Sequence, residues 1–240
     1  MKRLAIILMV MLPISSYALT LEEIRKQVRY SVMDTTDTVN TPRWTDSMLN
    51  EYIDVAEKRI SMFTDCCYGR WTITPSTGVQ EYPKPPDMYK IDMVRYMQTS
   101  STYSYQRLDF IDYPAMDKDI NLSWLNVSSG IPRNYYERGQ YIGLYQKPSI
   151  SYCWTNALMV EGWKVPDTMS GATDTPWDGD YSLVGYHFMI VLDVTIRIKE
   201  NEGYAVPDKK QEFWTLIDYM RRWVKSRTDR NAVISFTFPK

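Results

Sequence analysis

Histidine is almost absent from this 240-residue chain, which contains a single one, His187. Ser-His-Asp and Cys-His catalytic arrangements and His-rich metal sites would all have to share that side chain. It lies beside Phe188 in an apolar segment, where a histidine is more often a satisfied core residue than a catalyst. The chain also lacks the G-x-x-x-x-G-K-[ST], G-x-G-x-x-G and G-x-S-x-G patterns. We therefore predict no catalytic residues and do not expect an enzyme.

Cysteine is scarce too, and Cys66, Cys67 and Cys153 form no C-x-x-C pattern. Their spacing argues against a zinc or thioredoxin-like site. Cys66 and Cys67 could pair with each other only under strain, whereas either could pair with Cys153 in an oxidising compartment, and buried thiols are the simpler expectation. Residues 174–180, D-T-P-W-D-G-D, could hold calcium but lack the EF-hand spacing. The sequence predicts no metal and no cofactor.

The chain has no excess of either charge, with 28 Lys and Arg against 29 Asp and Glu, so no global basic field argues for nucleic acid. An apolar run at residues 4–12 follows two basic residues and is too short for a bilayer, which needs about 20 residues. The small residues Ser16 and Ala18 then offer a signal peptidase site. Residues 1–19 are either a signal peptide, which would send the protein to the periplasm or outside the cell after cleavage of residues 1–18, or a retained arm.

Aromatic residues are abundant, with 19 Tyr and 8 Trp. These side chains bury a ring while keeping a hydroxyl or an indole N–H in contact with water. Protein interfaces and sugar-binding faces both use this chemistry, so the composition predicts extensive contact surface.

Two helices are predicted before residue 65. A capping box, T-L-E-E, begins the first helix at Thr20, and the polar segment that follows ends it near Met33. The second helix starts at residues 44–46 and keeps a 3.6-residue period for about five turns. Its buried face is predicted to hold Leu49, Tyr52, Ile53, Ala56, Ile60 and Phe63, and its outer face Glu51, Asp54, Glu57, Lys58 and Arg59.

Residues 68–166 change to the short alternating runs of β-strands. One hairpin is predicted from residues 71–74 and 79–82, and a second from residues 131–136 and 141–145, joined by the four-residue link E-R-G-Q. Further strands are predicted at residues 89–97, 105–111, 149–156 and 157–165, and a single helical turn at residues 113–119, while the pattern of residues 122–129 is ambiguous. Residues 167–179 form a long polar loop, which predicts a functional or mobile segment.

Helical patterns return at Asp180, a candidate N-cap for a helix that is apolar on nearly all sides. A last helix begins at Pro207, and basic side chains collect at its C-terminal end, as the helix dipole favours: Arg221, Arg222, Lys225, Arg227 and Arg230. Residues 232–239 alternate between apolar and polar, which predicts a strand with no obvious partner in its own chain. The order predicts an α+β fold, with helical segments 20–67 and 180–228, a β module 68–166 between them, and a C-terminal arm 229–240.

Three motifs in this order resemble the head-to-tail adaptor proteins of tailed phages, also called connector or tail tubular proteins. They are W-T-D-x-x-L-x-x-Y-I-x-x-A at residues 44–56, V-Q-E-Y-P-K-P-P-D at 79–87, and G-I-P-R-N-Y-Y with Y-I-G-L-Y-Q-K-P at 130–148. The resemblance covers about residues 20–230. It implies a four-helix bundle with an antiparallel β-sandwich-like module inserted between helices 2 and 3.

The resemblance also implies a structural virion protein that forms a ring of twelve copies between the portal protein and the tail or nozzle proteins. DNA would pass through the ring without sequence specificity, and no small-molecule substrate is expected. The arm would dock on the portal by strand addition, with Val233, Ile234, Phe236 and Phe238 as anchors. The five basic residues of the last helix would face portal acid or the DNA channel, and Tyr135, Tyr141 and Tyr145 of the second hairpin are candidates for burial or for subunit contacts.

Two other functions remain open from the residues alone. An exported envelope protein, whose aromatic-rich β module binds carbohydrate or a protein partner, would account for the N-terminal segment. A secreted glycosidase would need two paired carboxylates, and no pair stands out in the sequence.

Overall fold

The structure is a computed structural model that describes residues 18–34, 42–99, 104–112 and 127–234, with the backbone alone for residues 228–234. Across these residues the fold is α+β, with four α-helices and two four-stranded sheets. The chain divides into two compact units, Met1–Ile60 with Asp167–Lys240, and Ser61–Pro166. The helices of the described segments are not long and apolar enough for any of them to cross a membrane.

Helix α1 spans Leu21–Val32, and its predicted capping box is present. The Thr20 hydroxyl accepts the Glu23 N–H, and the Glu23 carboxylate accepts the Thr20 N–H. Met33, with φ 59° in the left-handed region, ends the helix where the sequence predicted. The N–H groups of Leu21 and Glu22, which have no partner within the helix, donate to the carbonyls of Asp174 and Ala172 at 2.8 and 3.1 Å. The loop at residues 171–174 therefore caps the start of α1.

Helix α2 spans Asp46–Thr64. The predicted apolar stripe is buried at Leu49, Ile53, Ala56 and Ile60, but the placement of Phe63 on this face was wrong, because its side chain is 39% exposed in the last turn of the helix. The placement of Glu57 on the outer face was wrong, because this side chain is only 1% exposed. Glu57 follows Ile53 by four residues and precedes Ile60 by three, which puts all three side chains on one face of the helix.

Helix α3 spans Phe188–Asn201 and is buried on most sides, as predicted. It begins later than the sequence indicated, because a 3-10 segment, Tyr181–Tyr186, precedes it. Asp180 is the N-cap of that 3-10 segment, where its carboxylate accepts the Ser182 N–H. The predicted capping residue is therefore correct, but the element that it caps is a different one.

Helix α4 spans Pro207–Ile234 and buries Phe213, Ile217 and Met220. Because α4 continues to Ile234, residues 232–234 are helical, and the predicted strand is wrong for them. Helical hydrogen bonding extends from the preceding turn into this short alternating segment. The rest of the predicted strand, residues 235–240, lies outside the described residues.

Eight strands form the two sheets: β1 (Tyr68–Ile73), β2 (Glu81–Pro83), β3 (Met88–Thr99), β4 (Ser104–Arg107), β5 (Asp109–Phe110), β6 (Asn134–Arg138), β7 (Tyr141–Leu144) and β8 (Leu158–Lys164). The first sheet has the order β1-β8-β3-β4 and is antiparallel throughout. The second has the order β2-β7-β6-β5, in which only β5 and β6 are parallel. One hydrophobic cluster draws on both sheets, with Val94, Tyr96, Leu158 and Val160 from the first and Tyr82, Tyr135, Ile142 and Leu144 from the second.

The hairpin predicted from residues 71–74 and 79–82 is wrong, because β1 pairs with β8 and β2 pairs with β7. The Tyr82 hydroxyl forms hydrogen bonds with two backbone groups of the connection between β1 and β2. This hydroxyl accepts the Ser76 N–H at 3.2 Å and donates to the Val79 carbonyl at 3.0 Å. These bonds satisfy backbone groups within the connection, and the two runs continue into different sheets.

The second predicted hairpin is confirmed, as β6 and β7 pair antiparallel. Its turn is shorter than predicted, because Arg138 pairs with Tyr141 and only Gly139 and Gln140 connect the strands. Gly139 has φ 55°, a conformation that glycine adopts without steric cost.

Two further strand predictions changed in the structure. Residues 105–111 split at the buried Leu108, where the chain leaves the first sheet as β4 and enters the second as β5. The strand predicted at residues 149–156 is wrong, since Ile150–Tyr152 form a 3-10 turn in which the Tyr152 N–H donates to the Ser149 carbonyl. The helical turn predicted at residues 113–119 and most of the ambiguous segment 122–129 lie outside the described residues.

Candidate functional site

The exposed face of α4 carries Arg221, Arg222 and Lys225, all of which are solvent-exposed. Trp214, at 49% exposure, precedes Arg221 by seven residues and Lys225 by eleven, so the three lie on one side of the helix. Within the described residues, no acidic side chain forms a salt bridge with any of the three cations. We call Trp214, Arg221, Arg222 and Lys225 the basic face of α4.

Arg227 does not belong to the basic face. Its Nη1 donates to the Ser182 hydroxyl at 2.6 Å and lies 3.6 Å from the Asp180 carboxylate, and its guanidinium covers the Trp223 ring at 4.8 Å. Burial alone would raise the pKa of Asp180, but hydrogen bonds from Ser182 and the charge of Arg227 leave it lowered. Arg227 therefore fastens α4 to the 3-10 segment. The side chain of Arg230 lies outside the described residues.

The aspartates of the loop at residues 167–179 bind the loop's own backbone. Asp174 accepts the N–H groups of Ser170 and Gly171 at 2.9 and 2.7 Å, which lowers its pKa, and Asp178 accepts the N–H of Asp167 at 3.1 Å. Within the described residues, no group of three or more His, Cys, Asp or Glu side chains is placed to hold a metal ion. The loop borders an open depression of about 360 Å³.

Trp177 anchors this loop in a strained turn. Trp177, Asp178 and Gly179 have φ of 53°, 56° and 75°, and the left-handed conformation costs about 1–2 kcal/mol for a residue with a side chain. The Trp177 side chain is 2% exposed, and its backbone N–H donates to the Glu57 carboxyl at 2.5 Å. Burial of the indole and the bond to Glu57 together hold the turn.

His187 has the buried position that the sequence predicted, with 1% exposure. Its Nδ1 accepts the Leu19 N–H at 3.0 Å, and its ring packs edge-on against Trp177 at 5.4 Å. Burial lowers the pKa of His187 to about 4, so the ring is neutral at pH 7 and accepts a hydrogen bond. His187 therefore ties the residues before α1 to the start of α3.

The residues described above form an exposed helix face and buried contacts that hold elements of the fold together. A comparison with known families indicates which class of protein they belong to. The sequence profile of the SU10 adaptor protein family matches residues 19–234. The chain belongs to this family. This is a phage head-to-tail adaptor family, so the predicted resemblance is confirmed. The general role of the protein is that of a phage structural adaptor in the virion. Such a family is not normally enzymatic, and no protein of curated function matches the chain.

In this SU10 adaptor family member, the three tyrosines of the second hairpin have different surroundings. Tyr135 is 7% exposed and lies in the core, where burial raises its pKa. Tyr145 is half-buried against Tyr136, and Tyr141 is 48% exposed at the start of β7. The structure thus leaves Tyr141 the most accessible of the three for a contact with a neighbour.

The predicted docking anchors of the adaptor lie at and beyond the end of α4. Val233 and Ile234 are the last two residues of the helix, and Phe236 and Phe238 lie outside the described residues. Arg221, Arg222 and Lys225 lie in the same helix, so one element brings together the basic face and the beginning of the arm.

Sequence reasoning missed three buried groups of the helical unit: Glu57, Trp177 and Asp193. The helical period marks Glu57, as described for α2. Asp193 was signalled by its position between Leu192 and Val194 in an otherwise apolar helix, because a buried carboxylate requires a partner. Trp177 carried no comparable signal, because nothing in a polar loop sequence indicates which side chain turns inward.

The burial of Glu57 raises its pKa from 4.5 to about 8, more than the Trp177 N–H lowers it. The folded protein therefore binds a proton here that the unfolded chain releases above pH 4.5. We predict that the stability contributed by this group falls as the pH rises from 4.5 to about 8, by on the order of 5 kcal/mol in all. Replacement Glu57→Gln should remove this decline and keep an acceptor for the Trp177 N–H, as urea unfolding at pH 6.5–8.5 would measure.

The titration of His187 changes the stability of the folded protein at acidic pH. Its lowered pKa makes the folded protein lose stability as the pH falls from 6.5 towards about 4. Measurements above pH 6.5 therefore exclude the contribution of His187, and the comparison with Glu57→Gln separates Glu57 from the other titrating groups. An unchanged pH slope in the Glu57→Gln variant would show that another group causes the decline.

Proposed function

We propose that this protein is the subunit of an adaptor ring that joins the portal of a tailed phage to its tail or nozzle proteins and surrounds the DNA channel. The observation that carries the proposal is the family match over residues 19–234, nearly the whole chain. The ring has twelve copies in this proposal, and the DNA passes through without sequence specificity.

In this proposal the four helices form a bundle, and the two sheets form a β-sandwich-like module inserted between α2 and α3. The segments are those expected from the sequence: an apolar segment at residues 1–19, a helical bundle from 20–67 and 180–228, a β module at 68–166, a loop at 167–179 and a docking arm at 229–240. The hydrophobic cluster shared by the two sheets supports the sandwich. The division of the chain into Ser61–Pro166 and a unit made from both flanking segments supports the insertion.

The basic face of α4 contacts either acidic side chains of the portal or the phosphates of the DNA. Three exposed cations without salt bridges to the described residues, next to an exposed indole, supply charge and contact area to a partner. Arg227 acts within its own chain, because its contacts to Ser182 and Asp180 occupy its guanidinium. The backbone of a nucleic acid would meet these cations without regard to sequence, and with strong dependence on salt.

The C-terminal arm docks on the portal through Val233, Ile234, Phe236 and Phe238. Val233 and Ile234 make this contact as the last residues of α4. The alternating segment 235–239 after them adds a strand to an exposed sheet edge of the portal, where main-chain hydrogen bonds supply affinity and alternate side chains supply specificity. Helix α4 reaches Ile234 and so delivers the arm at its end.

Attachment to the portal tests both contacts. We expect the full-length protein to form rings on portal particles, visible by negative-stain imaging and as a discrete mass increase in native mass spectrometry. A variant that ends at Val233 should keep its thermal unfolding transition but lose attachment, because it lacks most of the arm. The triple variant Arg221→Gln, Arg222→Gln, Lys225→Gln keeps the arm and should attach more weakly, with less dependence on salt.

The two variants serve as controls for each other. Normal attachment of the truncated protein would exclude the arm as the docking element, and unchanged salt dependence of the triple variant would exclude the basic face as a contact. If the full-length protein remained monomeric in the presence of portal, the adaptor-ring proposal itself would be wrong.

A further inference from the structure

Cys66 and Cys67 follow directly after the end of α2. Asp65 ends the helix in the left-handed conformation, with φ 52°, and its N–H donates to the Ser61 carbonyl at 2.9 Å. Neighbouring side chains in an extended segment point to opposite faces, which would separate the two sulfurs. Here the Sγ atoms of Cys66 and Cys67 lie only 3.7 Å apart. The turn after α2 therefore places both thiols on the same side of the chain.

The surroundings fix this arrangement. The Cys67 carbonyl accepts the Lys164 N–H at 3.0 Å, which joins the pair to the end of β8. Asp65 is held from β3, where the Tyr89 hydroxyl donates to its carboxylate at 3.0 Å and Lys90 pairs with it at 2.8 Å. All these residues belong to the unit Ser61–Pro166. The two thiols are thus positioned by folded structure on both sides.

The sulfur separation suits a bridging atom better than a disulfide. Two sulfurs bound at about 2.3 Å to one pyramidal trivalent centre, with an angle of about 100° between the bonds, lie about 3.5 Å apart, within a few tenths of an ångström of the observed separation. A disulfide normally joins Cα atoms at least about 4.4 Å apart, whereas adjacent residues hold them at about 3.8 Å. No disulfide joins any two of the three cysteines in the structure. A third atom could therefore join the sulfurs of Cys66 and Cys67 with little movement of the backbone.

The number of nearby ligands and the reactivity of the two thiols limit which atom could bridge Cys66 and Cys67. Within the described residues, no third His, Cys, Asp or Glu joins the pair in a metal-binding group, so a cation that needs three or four protein ligands is disfavoured. Cys66 is half-buried, while Cys67 is 6% exposed, so Cys66 is the more exposed of the two thiols. The hydrogen bond with Cys67 lowers the pKa of Cys66, which increases its reactive thiolate.

We propose that Cys66 and Cys67 form a dithiol site that chelates one thiophilic trivalent centre, of which an organic arsenic(III) oxide is the representative ligand. Both S–H bonds break and two As–S bonds form. The arsenic-bound oxygen leaves as water with the two thiol protons, and neither sulfur nor arsenic is oxidised or reduced. The site is independent of portal attachment and goes beyond the adaptor role.

The test uses phenylarsine oxide on the full-length protein with intact-mass detection. We expect one adduct that survives an excess of a monothiol and is removed by a dithiol. Trypsin should place the adduct on the peptide 60–70, which holds both cysteines between the cleavage sites Arg59 and Arg70. The variants Cys66→Ser and Cys67→Ser should each retain the reagent about 10²–10⁴-fold less tightly, because chelation is lost. Cys153→Ser is the matched control and should bind as the wild type does.

A second measurement does not depend on the folding of any variant. The wild-type protein should bind phenylarsine oxide about tenfold more tightly than the isolated peptide 60–70, because the fold has already brought the sulfurs together. Equal binding by the peptide would overturn the role of the folded geometry. An adduct on the peptide that carries Cys153, or an adduct lost to a monothiol, would overturn the dithiol site itself.

Discussion

Replacement of Asp193 by alanine is expected to lower the free energy of unfolding by about 3–5 kcal/mol, a large part of the total stability of an ordinary domain. Asp193 lies in α3 with its side chain 1% exposed, in contact with the Arg59 guanidinium of α2 and 3.3 Å from Nε of Arg197. Arg59 also covers the Phe213 ring of α4 at 5.3 Å. Removal of the carboxylate would leave two partly buried guanidinium groups without their counter-charge. Thermal unfolding should show a midpoint lower by roughly 10 °C or more.

A matched control is the exposed ion pair of Glu22 and Lys26 on α1, whose side chains are 53% and 70% exposed. Glu22→Ala removes a carboxylate from an exposed i,i+4 pair, which water and salt screen, so it should change stability far less than Asp193→Ala does. An Asp193→Ala effect as small as that of Glu22→Ala would show that solvent reaches the Asp193 cluster.

The low pKa of Arg59 supports the same interpretation. Burial, with the nearby charge of Arg197, lowers the pKa of Arg59 to about 10, so its positive charge is costly where it lies. A triple variant with Leu at 193 and Met at 59 and 197 should therefore recover most of the stability that Asp193→Ala loses, since apolar side chains of similar volume remove all three charges together.

The elements with strong local signals could be predicted from the sequence. Thr20 and Glu23 set the start of α1 by hydrogen bonds three residues apart, and Gly139 permits the tight turn between β6 and β7. The buried stripe of α2 follows from a period that the helix imposes on any sequence. In each case the decisive interaction joins residues that are close in the chain, so a short stretch of sequence is enough to predict the structure there.

The partners of β1 and β2 could not be predicted, because they come from distant parts of the chain. β1 pairs with β8 and β2 with β7, and Pro75 and Gly78 between them look like any hairpin turn. In the structure the Tyr82 hydroxyl hydrogen-bonds to the backbone at Ser76 and Val79. A tyrosine can bury its hydroxyl in many places, and its sequence position does not say which one.

Only part of the candidate site could be predicted, again because the deciding contact joins residues that are far apart in the chain. The basic residues of α4 were identified as a group, but the sequence could not separate Arg227, which binds Ser182, from the exposed Arg221, Arg222 and Lys225. That distinction depends on how α4 packs on the 3-10 segment 45 residues earlier in the chain. Internal fastening and partner contact use the same residue type, so only tertiary structure distinguishes them.

Gly162→Ala is expected to lower the free energy of unfolding by about 3 kcal/mol, near the upper end for overpacking. Gly162 lies in β8, the central strand between β1 and β3, opposite Gly69 and Ile91. The register of β3 shifts between Ile91 and Met93, and a Cβ at position 162 would overlap the Lys90 carbonyl oxygen. Because the obstacle is backbone, it cannot rotate away, and relief would require β3 to move from its paired position. Urea unfolding monitored by tryptophan fluorescence would measure the loss.

Two other glycines provide graded controls for Gly162→Ala within the same unit. A Cβ at Gly143 would overlap the buried ring of Tyr136, its cross-strand partner; because this obstacle is a side chain and not backbone, Gly143→Ala should cost less than Gly162→Ala. A Cβ at Gly130 would meet no atom within 4 Å, so Gly130→Ala should be close to neutral. The expected order is Gly162, then Gly143, then Gly130. If Gly162→Ala were as mild as Gly130→Ala, β3 would have to yield easily at its register shift, and the first sheet would be held mainly by β1 and β8.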